Sequence, residues 1–417
     1  MKLQLSVQAQ AQAAKEAAVA LQRSTAAVRQ QLLHDLGQTL LARQADIIAV
    51  NRQEVAEQAA QGLSDALLDR LTLTEARIQS MADGVEQIAS APDVLGETIS
   101  SWQQPNGLEV RRVRVPLGVI GVIYEARPNV TVDAAALCLK AGNAVLLRGS
   151  RAAARTNAYL VNIISEVLQR QGLPSELVQM VQDTSRQSVL EMARARGLLD
   201  MIVPRGGAGL IRTVVETATV PVLETGVGNC HLYIDASAPA DMAISIALNG
   251  KCSRPAVCNA VETILLHQDW AKQHFDRLAA ELQAAGVGLR LCQQLHQRLP
   301  GSVLAQASDW SEEYLDLTVA IKQVASVDEA IEHIRRYGTQ HSEAIVSLDE
   351  ASVTRFFEAV DAACLYHNAS TRFSDGYALG LGAEIGISTQ KLHARGPMGV
   401  EGLTTYKYLV SGSGQIR

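Results

Sequence analysis

Apolar positions recur at helical spacing over the first part of the chain and contract into short runs beyond residue 117. Val28, Leu32, Leu36 and Leu40 fall every four residues, Leu33 widens the stripe, and Ile47 and Ile48 continue it. That period predicts amphipathic helices over roughly the first 90 residues. Thr72 and Glu75 have the spacing of a capping box ahead of a further helix through Ile78 and Met81. Helices of this kind cover a sheet more often than they carry chemistry. Around 99–116 the pattern changes: a Pro-Asn-Gly turn at 105–107 is followed by alternation at Leu108 and Val110, which predicts a hairpin strand with an arginine-rich face. Such a strand suits a sheet edge or an assembly surface.

From 117 onward strand-like runs alternate with helical segments. GVIGVIY (118–124), AVLLR (144–148), VQMV (178–181), LLDMIV (198–203) and VPVLE (220–224) are the runs. TVDAAALCLKAG, with its closing glycine, and the stretches 151–170 and 208–218 are the main intervening helices. Five short strands separated by helices predict a parallel sheet covered on both faces, with ligands at the carboxyl ends of its strands. A second α/β stretch covers about 226–375, with apolar runs at 261–266, 318–321 and 344–348. The glycine-rich tail ends in TYKYLVSGSGQIR, a candidate terminal strand pair.

Composition narrows the functional classes. The chain has 417 residues, 47% hydrophobic and 19% charged, as expected of two or three globular domains. A net charge of −6 without long single-sign blocks, and 4% aromatic residues, argue against nucleic-acid and membrane partners. The cysteines at 138, 230, 252, 258, 292 and 364 form no C-x-x-C pair and no metal-ligand spacing with the histidines, so free thiols in a reducing compartment are expected. Glutamines, Lys15 and Glu16 interrupt the apolar run that a signal peptide would need, and no stretch approaches the roughly 20 apolar residues of a membrane span. A cytoplasmic location is the expectation.

Familiar phosphate signatures are missing. No G-x-G-x-x-G follows a strand, and Gly380, Gly382 and Gly386 resemble that fingerprint only loosely. Two other loops are better placed to bind an anion. Arg148, Gly149, Ser150 and Arg151, with Arg155 a turn later, follow the 144–148 strand and enter a helix. Arg205, Gly206 and Gly207 follow the 198–203 strand and enter another, with glycines that would let a pyrophosphate approach the backbone. A third candidate is GKCSRPAVCNAVET (250–263), in which Cys252 and Cys258 are equally plausible reactive thiols.

Four segments go further: IYEARPNVTVDAAALCLKAGNAVLLRGS (123–150), VLETGVGNCHLYID (222–235), SRPAVCNAVET (253–263) and HARGPMGVEGLTTYKYLV (393–410). Together they resemble the acyl-phosphate-reducing branch of the aldehyde dehydrogenase superfamily, over essentially the whole chain. The resemblance implies an aldehyde-dehydrogenase-like α/β fold: an NADP-binding, Rossmann-like domain with N-terminal helices (1–98 and 117–225), a catalytic domain (226–375), a return segment (376–394) and oligomerisation strands (99–116 and 395–417). It implies Cys258 as nucleophile, Asn129 as side-chain donor of the oxyanion hole, and Glu224 in the place of the base used by hydrolytic members. Arg148 stands where a lysine contacts the adenosine ribose, and Glu313 where a glutamate holds the nicotinamide ribose. Arg151 replaces an acid of NAD-preferring members, which implies NADPH/NADP+. Arg254, Asn259 and Asn368 are candidates for binding substrate.

The activity implied is NADPH-dependent reduction of L-glutamyl 5-phosphate to the 5-semialdehyde and phosphate through a cysteine thioester, in proline biosynthesis. A hydrolytic aldehyde dehydrogenase acting on a small semialdehyde is the rival. Reduction of an acyl phosphate needs no activated water, so Glu224 is open between a structural and a proton-handling role. The resemblance also implies a homodimer or homotetramer and leaves room for transient contact with the glutamate 5-kinase that makes the labile acyl phosphate.

Overall fold

The computed structural model describes residues 5–417 and divides them into two compact units. The first holds the chain up to Thr225 together with Gly380–Gly386 and Met398–Arg417; the second holds Gly226–Leu379 and Ile387–Pro397.

In the first unit the helices Val7–Gln22, Ala26–Ala42, Gln44–Ala60, Asp65–Leu71 and Glu75–Ser90 bury Leu32, Leu33, Leu36, Leu40 and Ile47 of the predicted stripe and leave its Val28 and Ile48 half-buried. The cap of the fifth helix is Thr74, whose hydroxyl accepts from Arg77 N at 3.2 Å. Thr72 instead bonds back to Leu68 O, so the capping box expected from Thr72 and Glu75 does not form. Next comes a hairpin of β1 (Thr98–Gln103) and β2 (Glu109–Pro116). Gly107, with φ +86°, makes the turn between them, a conformation open to glycine but costly for other residues.

The parallel sheet of this unit contains β3 (Val119–Tyr124), β4 (Ala144–Arg148), β5 (Val178–Met180) and β6 (Met201–Arg205), in the order β5-β4-β3-β6. Every residue of β3 is buried, the near-continuous apolar reading typical of a strand covered on both faces. The helix Pro128–Lys140 ends as its glycine predicts: Gly142 has φ +75° and Asn143 N returns to Cys138 O at 2.8 Å. The expected fifth strand, 220–224, is not one. It runs extended beside β6 but makes only an isolated bridge, Ile202 to Val222.

The second unit has an all-parallel sheet of β7 (Cys230–Ile234), β8 (Val261–His267), β9 (Gly288–Leu291), β10 (Val303–Leu304), β11 (Thr318–Val324), β12 (Ser342–Val346) and β13 (Cys364–His367), ordered β10-β9-β11-β8-β7-β12-β13. Leu232, Ile264, Leu266, Trp270, Phe275 and Leu278 are among the residues of its main core. Trp270 satisfies its indole by donating to Ala238 O at 3.0 Å. A short pair, β14 (Ile387–Ser388) and β15 (Gly396–Pro397), belongs to the same unit. Back in the first unit, β16 (Thr404–Ser411) pairs antiparallel with β2, giving the sheet β1-β2-β16, on which Trp102, Tyr406, Tyr408 and Val410 are exposed. No helix among the described residues is long and apolar enough to cross a membrane.

Candidate active site

The two expected anion loops follow β4 and β6, which flank β3 on either side, so they end strands one position apart in the sheet and not neighbouring ones. Each is already supplied with an anion by the chain itself. At the start of the helix Ala154–Arg170, Glu54 accepts from Arg155 N (2.7 Å), Thr156 N (3.0 Å) and the Thr156 hydroxyl (2.5 Å). Arg155 pairs with Glu57 at 2.7 Å. The donors read as a phosphate site are thus engaged by the N-terminal helices.

At the start of the helix Ala208–Thr217, Glu125 accepts from Gly207 N at 3.2 Å, and a side chain on Gly206 would collide with the Glu125 carboxyl at 2.8 Å. Any pyrophosphate there would share the helix start with a carboxylate. Gly149 has a packing reason of its own, since a Cβ would lie 2.3 Å from Asn157 Nδ2.

Arg148 does not reach outward either. Its guanidinium donates to Thr184 O (2.6 Å), Ser185 O (2.8 Å) and Ser188 Oγ (3.3 Å), bracing the loop before the next helix, and desolvation lowers its pKa. What stays available for a cofactor is Arg151, exposed and without an ion pair among the described residues, and the Ser150 hydroxyl, buried without a partner. Gly380, Gly382 and Gly386 lie in irregular chain with no helix following, so the loose fingerprint is not a dinucleotide turn.

Asn129 is exposed on the first turn of Pro128–Lys140, and its Nδ2 donates to Asp133 Oδ2 at 3.0 Å. Desolvation pushes the Asp133 carboxyl up to about 6, against the Asn129 bond and the Arg205 charge, which lower it. Glu224 is exposed between buried Leu223 and Thr225, the latter donating to Pro204 O at 2.8 Å.

In the second unit, the helix Ala240–Cys252 leads into a turn that delivers Cys258 to the amino end of β8. Geometry separates the two thiols that sequence left equal. Cys252 packs against the apolar core, and burial raises its pKa. Cys258 is half-buried on the turn, where its carbonyl accepts from Cys230 Sγ at 3.2 Å. Gly228 lies so close that a Cβ would sit 1.5 Å from Cys258 O. The Gly228 N–H donates to Glu313 Oε1 at 2.7 Å, and burial raises the Glu313 carboxyl. One carboxylate oxygen of Glu313 therefore positions the segment before β7 that lies against the Cys258 turn.

Two expected substrate contacts do structural work. Asn259 is buried; its Nδ2 donates to Ser374 O at 2.9 Å and its Oδ1 accepts from Arg372. Asn368, at φ +53°, accepts from Ser347 N and donates to Ser347 O, both at 3.0 Å. Arg254 is exposed on the turn ahead of Cys258. Sequence reading missed Arg372, whose Nε donates to Ser253 Oγ at 3.1 Å.

Known proteins share this sequence and fold. Residues 4–297 match the model of the aldehyde dehydrogenase family. The γ-glutamyl phosphate reductases of Geobacillus kaustophilus and Moorella thermoacetica are 56% and 53% identical, covering 97% and 100% of both chains compared. The chain belongs to the aldehyde dehydrogenase family, in its γ-glutamyl phosphate reductase branch. The crystal structure of the γ-glutamyl phosphate reductase of Thermotoga maritima superposes with a TM-score of 0.96 at 44% identity, over 98% of this chain and 99% of that one. As an aldehyde dehydrogenase family member the chain is an oxidoreductase, and the family uses nicotinamide cofactors with small-molecule substrates.

Proposed function

We propose that the chain reduces L-glutamyl 5-phosphate to L-glutamate 5-semialdehyde and phosphate with NADPH, by way of a thioester on Cys258, as the second step of proline biosynthesis. Full-length relatives named for this reaction support the substrate, and the half-buried Cys258 on its braced turn is the observation that carries the mechanism.

A free thiol with a pKa near ~8.5 is only partly ionised at neutral pH, yet its thiolate attacks acyl carbons well. Cys258 Sγ bonds to the acyl carbon, the bond from that carbon to the phosphate oxygen breaks, and phosphate leaves with the electron pair. The charge that collects on the acyl oxygen is assigned to Asn129 Nδ2 and the Cys258 backbone N–H, in keeping with the family pattern. NADPH, when bound, supplies the hydride that turns the thioester into the aldehyde and frees the thiolate. Glu313 keeps one carboxylate oxygen for the nicotinamide ribose while the other holds Gly228. Arg205, Gly206 and Gly207 would face the pyrophosphate, beside Glu125.

Arg151 carries the NADPH preference: an exposed guanidinium without a carboxylate partner among the described residues suits a ribose 2′-phosphate. Arg151→Glu is expected to abolish discrimination against NADH. Glu224 has no water to activate in this reaction and is assigned no chemical step. The exposed aromatic face of β1-β2-β16 fits assembly into a homodimer or homotetramer.

The deciding measurement is the initial rate of NADP+ reduction with glutamate 5-semialdehyde, with and without phosphate. A rate that appears only with phosphate is expected. A rate indifferent to phosphate would mean that water resolves the thioester, the reading of a hydrolytic dehydrogenase.

A further inference from the structure

The Arg372 guanidinium is fixed to both flanks of the reactive turn. Nε donates to Ser253 Oγ, five residues before Cys258, and Nη1 to Asn259 Oδ1, one residue after it. Both acceptors are themselves held. The Ser253 hydroxyl donates to Asn249 O at 2.7 Å, and the Asn259 amide donates to Ser374 O. Thr371, next to Arg372, donates to Asn259 O at 2.7 Å, so the arginine's own backbone is tied to the same turn. Side chain and main chain alike have one place to be.

Among the described residues, the hydrogen-bond partners of this cation, Ser253 and Asn259, are neutral. Arg372 is half-buried, and neither it nor Arg254 forms an ion pair among the described residues. Its pKa is lowered, first by desolvation and next by the Arg254 charge, while Asp375 and the Cys258 thiol act the other way. Asp375 is occupied: its Oδ1 accepts from Tyr377 N (3.0 Å) and Ala378 N (3.3 Å). Arg254 directly follows Ser253, the residue that Arg372 Nε binds, so the two guanidinium groups share one turn, and a desolvated cation beside another is unfavourable until an anion arrives. Among the described residues the Arg372 fork is engaged through Nε and Nη1, which leaves Nη2 for that anion.

We infer that Arg372, with Arg254, binds the phosphoryl group of the acyl phosphate and receives the charge that phosphate carries away as the Cys258 thioester forms. The inference rests on the reading of Cys258 as nucleophile. Two cations suit a group with about two negative charges joined through one oxygen to the carbon under attack. A carboxylate at the far end of the substrate offers a single charge, and an ammonium beside it.

The test combines turnover with a probe independent of it. In the phosphate-dependent direction, Arg372→Gln should raise KM for phosphate about 10- to 100-fold, change KM for the semialdehyde less than about threefold, and leave Arg372→Lys in between. Separately, inorganic phosphate should slow alkylation of Cys258 by iodoacetamide in the unmodified protein, read by peptide mass spectrometry, and should not do so in Arg372→Gln. A rise in KM for the semialdehyde instead would assign Arg372 to the carboxylate and overturn the inference, as would unchanged constants for both. Absence of phosphate protection in the unmodified protein also overturns it. Turnover indifferent to phosphate, with protection intact and lost in Arg372→Gln, would remove the proposed reaction and leave the anion site standing.

Discussion

Glu54 lies with one carboxylate oxygen 3.0 Å from Thr156 N and 2.5 Å from the Thr156 hydroxyl, although 102 residues separate the two in sequence. The other oxygen takes Arg155 N at 2.7 Å. A buried acid thus satisfies the orphan donors at the start of Ala154–Arg170 and meets the positive end of the helix dipole. Glu54→Ala strands those donors inside the first unit. The expected outcome is a loss of about 2–4 kcal/mol, read as a lower urea midpoint of that unit, with KM for NADPH little changed. A marked rise in KM without loss of stability would mean that this helix start serves the cofactor after all.

Glu125 plays the matching part at the second loop, where the proposed reading puts the cofactor's pyrophosphate. Its carboxylate occupies Gly207 N and fills the space beside Gly206. A fixed negative charge at that point opposes a pyrophosphate drawn to the same helix start. Glu125→Gln removes the charge and keeps the shape. KM for NADPH should fall about two- to fivefold at low salt, converging with the unmodified protein at high salt. Steady-state kinetics at two ionic strengths decide it.

These two carboxylates show where sequence reading stops. The strands β3, β4, β6, β8 and β11 were legible because parallel strands buried on both faces carry mostly apolar runs, interrupted in β8 by Glu262 and Thr263 and in β11 by Lys322 and Gln323. VPVLE had the same composition and failed as a strand, because strand status depends on neighbours in the ladder and only Ile202 was offered to it. Both loops open helices, as the sequence pattern suggested, but the carboxylates that meet those helix starts, Glu54 and Glu125, come from 101 and 82 residues away. Cys252 and Cys258 could be told apart only by the core that Cys252 packs against. Arg372 carried no local signal at all, since its meaning lies in contacts with Ser253 and Asn259. The rule that ligands sit at carboxyl strand ends would also have missed Cys258, which stands at the amino end of β8.

Asp133 makes the behaviour of Asn129 dependent on pH. Its carboxyl titrates at about 6, raised mainly by desolvation. Above that value it is ionised and accepts the Asn129 Nδ2 hydrogen bond; as pH falls through about 6 it takes a proton, and the charge that orients the amide is lost. If Asn129 serves the oxyanion, kcat should fall on the acid side with a limb near 6. Asp133→Asn should remove that limb while lowering the plateau. A limb that persists in Asp133→Asn belongs to another group.

Gly228 sets how far the reactive turn can move. An added methyl would lie 1.5 Å from the carbonyl oxygen of Cys258 and 2.7 Å from its Cα, so backbone must shift and no rotamer change can relieve the overlap. The displaced part is either the Cys258 turn or the strand start that binds Glu313 through Gly228 N. Under the proposed mechanism either movement would separate Cys258 Sγ from the acyl carbon, and a misplacement of about 1 Å can lower a rate about 100-fold. Gly228→Ala is therefore expected to lower kcat by about that factor, with a smaller change in KM for the acyl substrate. Alkylation of Cys258 by iodoacetamide should continue, because the thiol is moved and not removed. Near-normal kcat in Gly228→Ala would show that the turn has slack, and that the close approach of Gly228 positions neither the thiol nor Glu313.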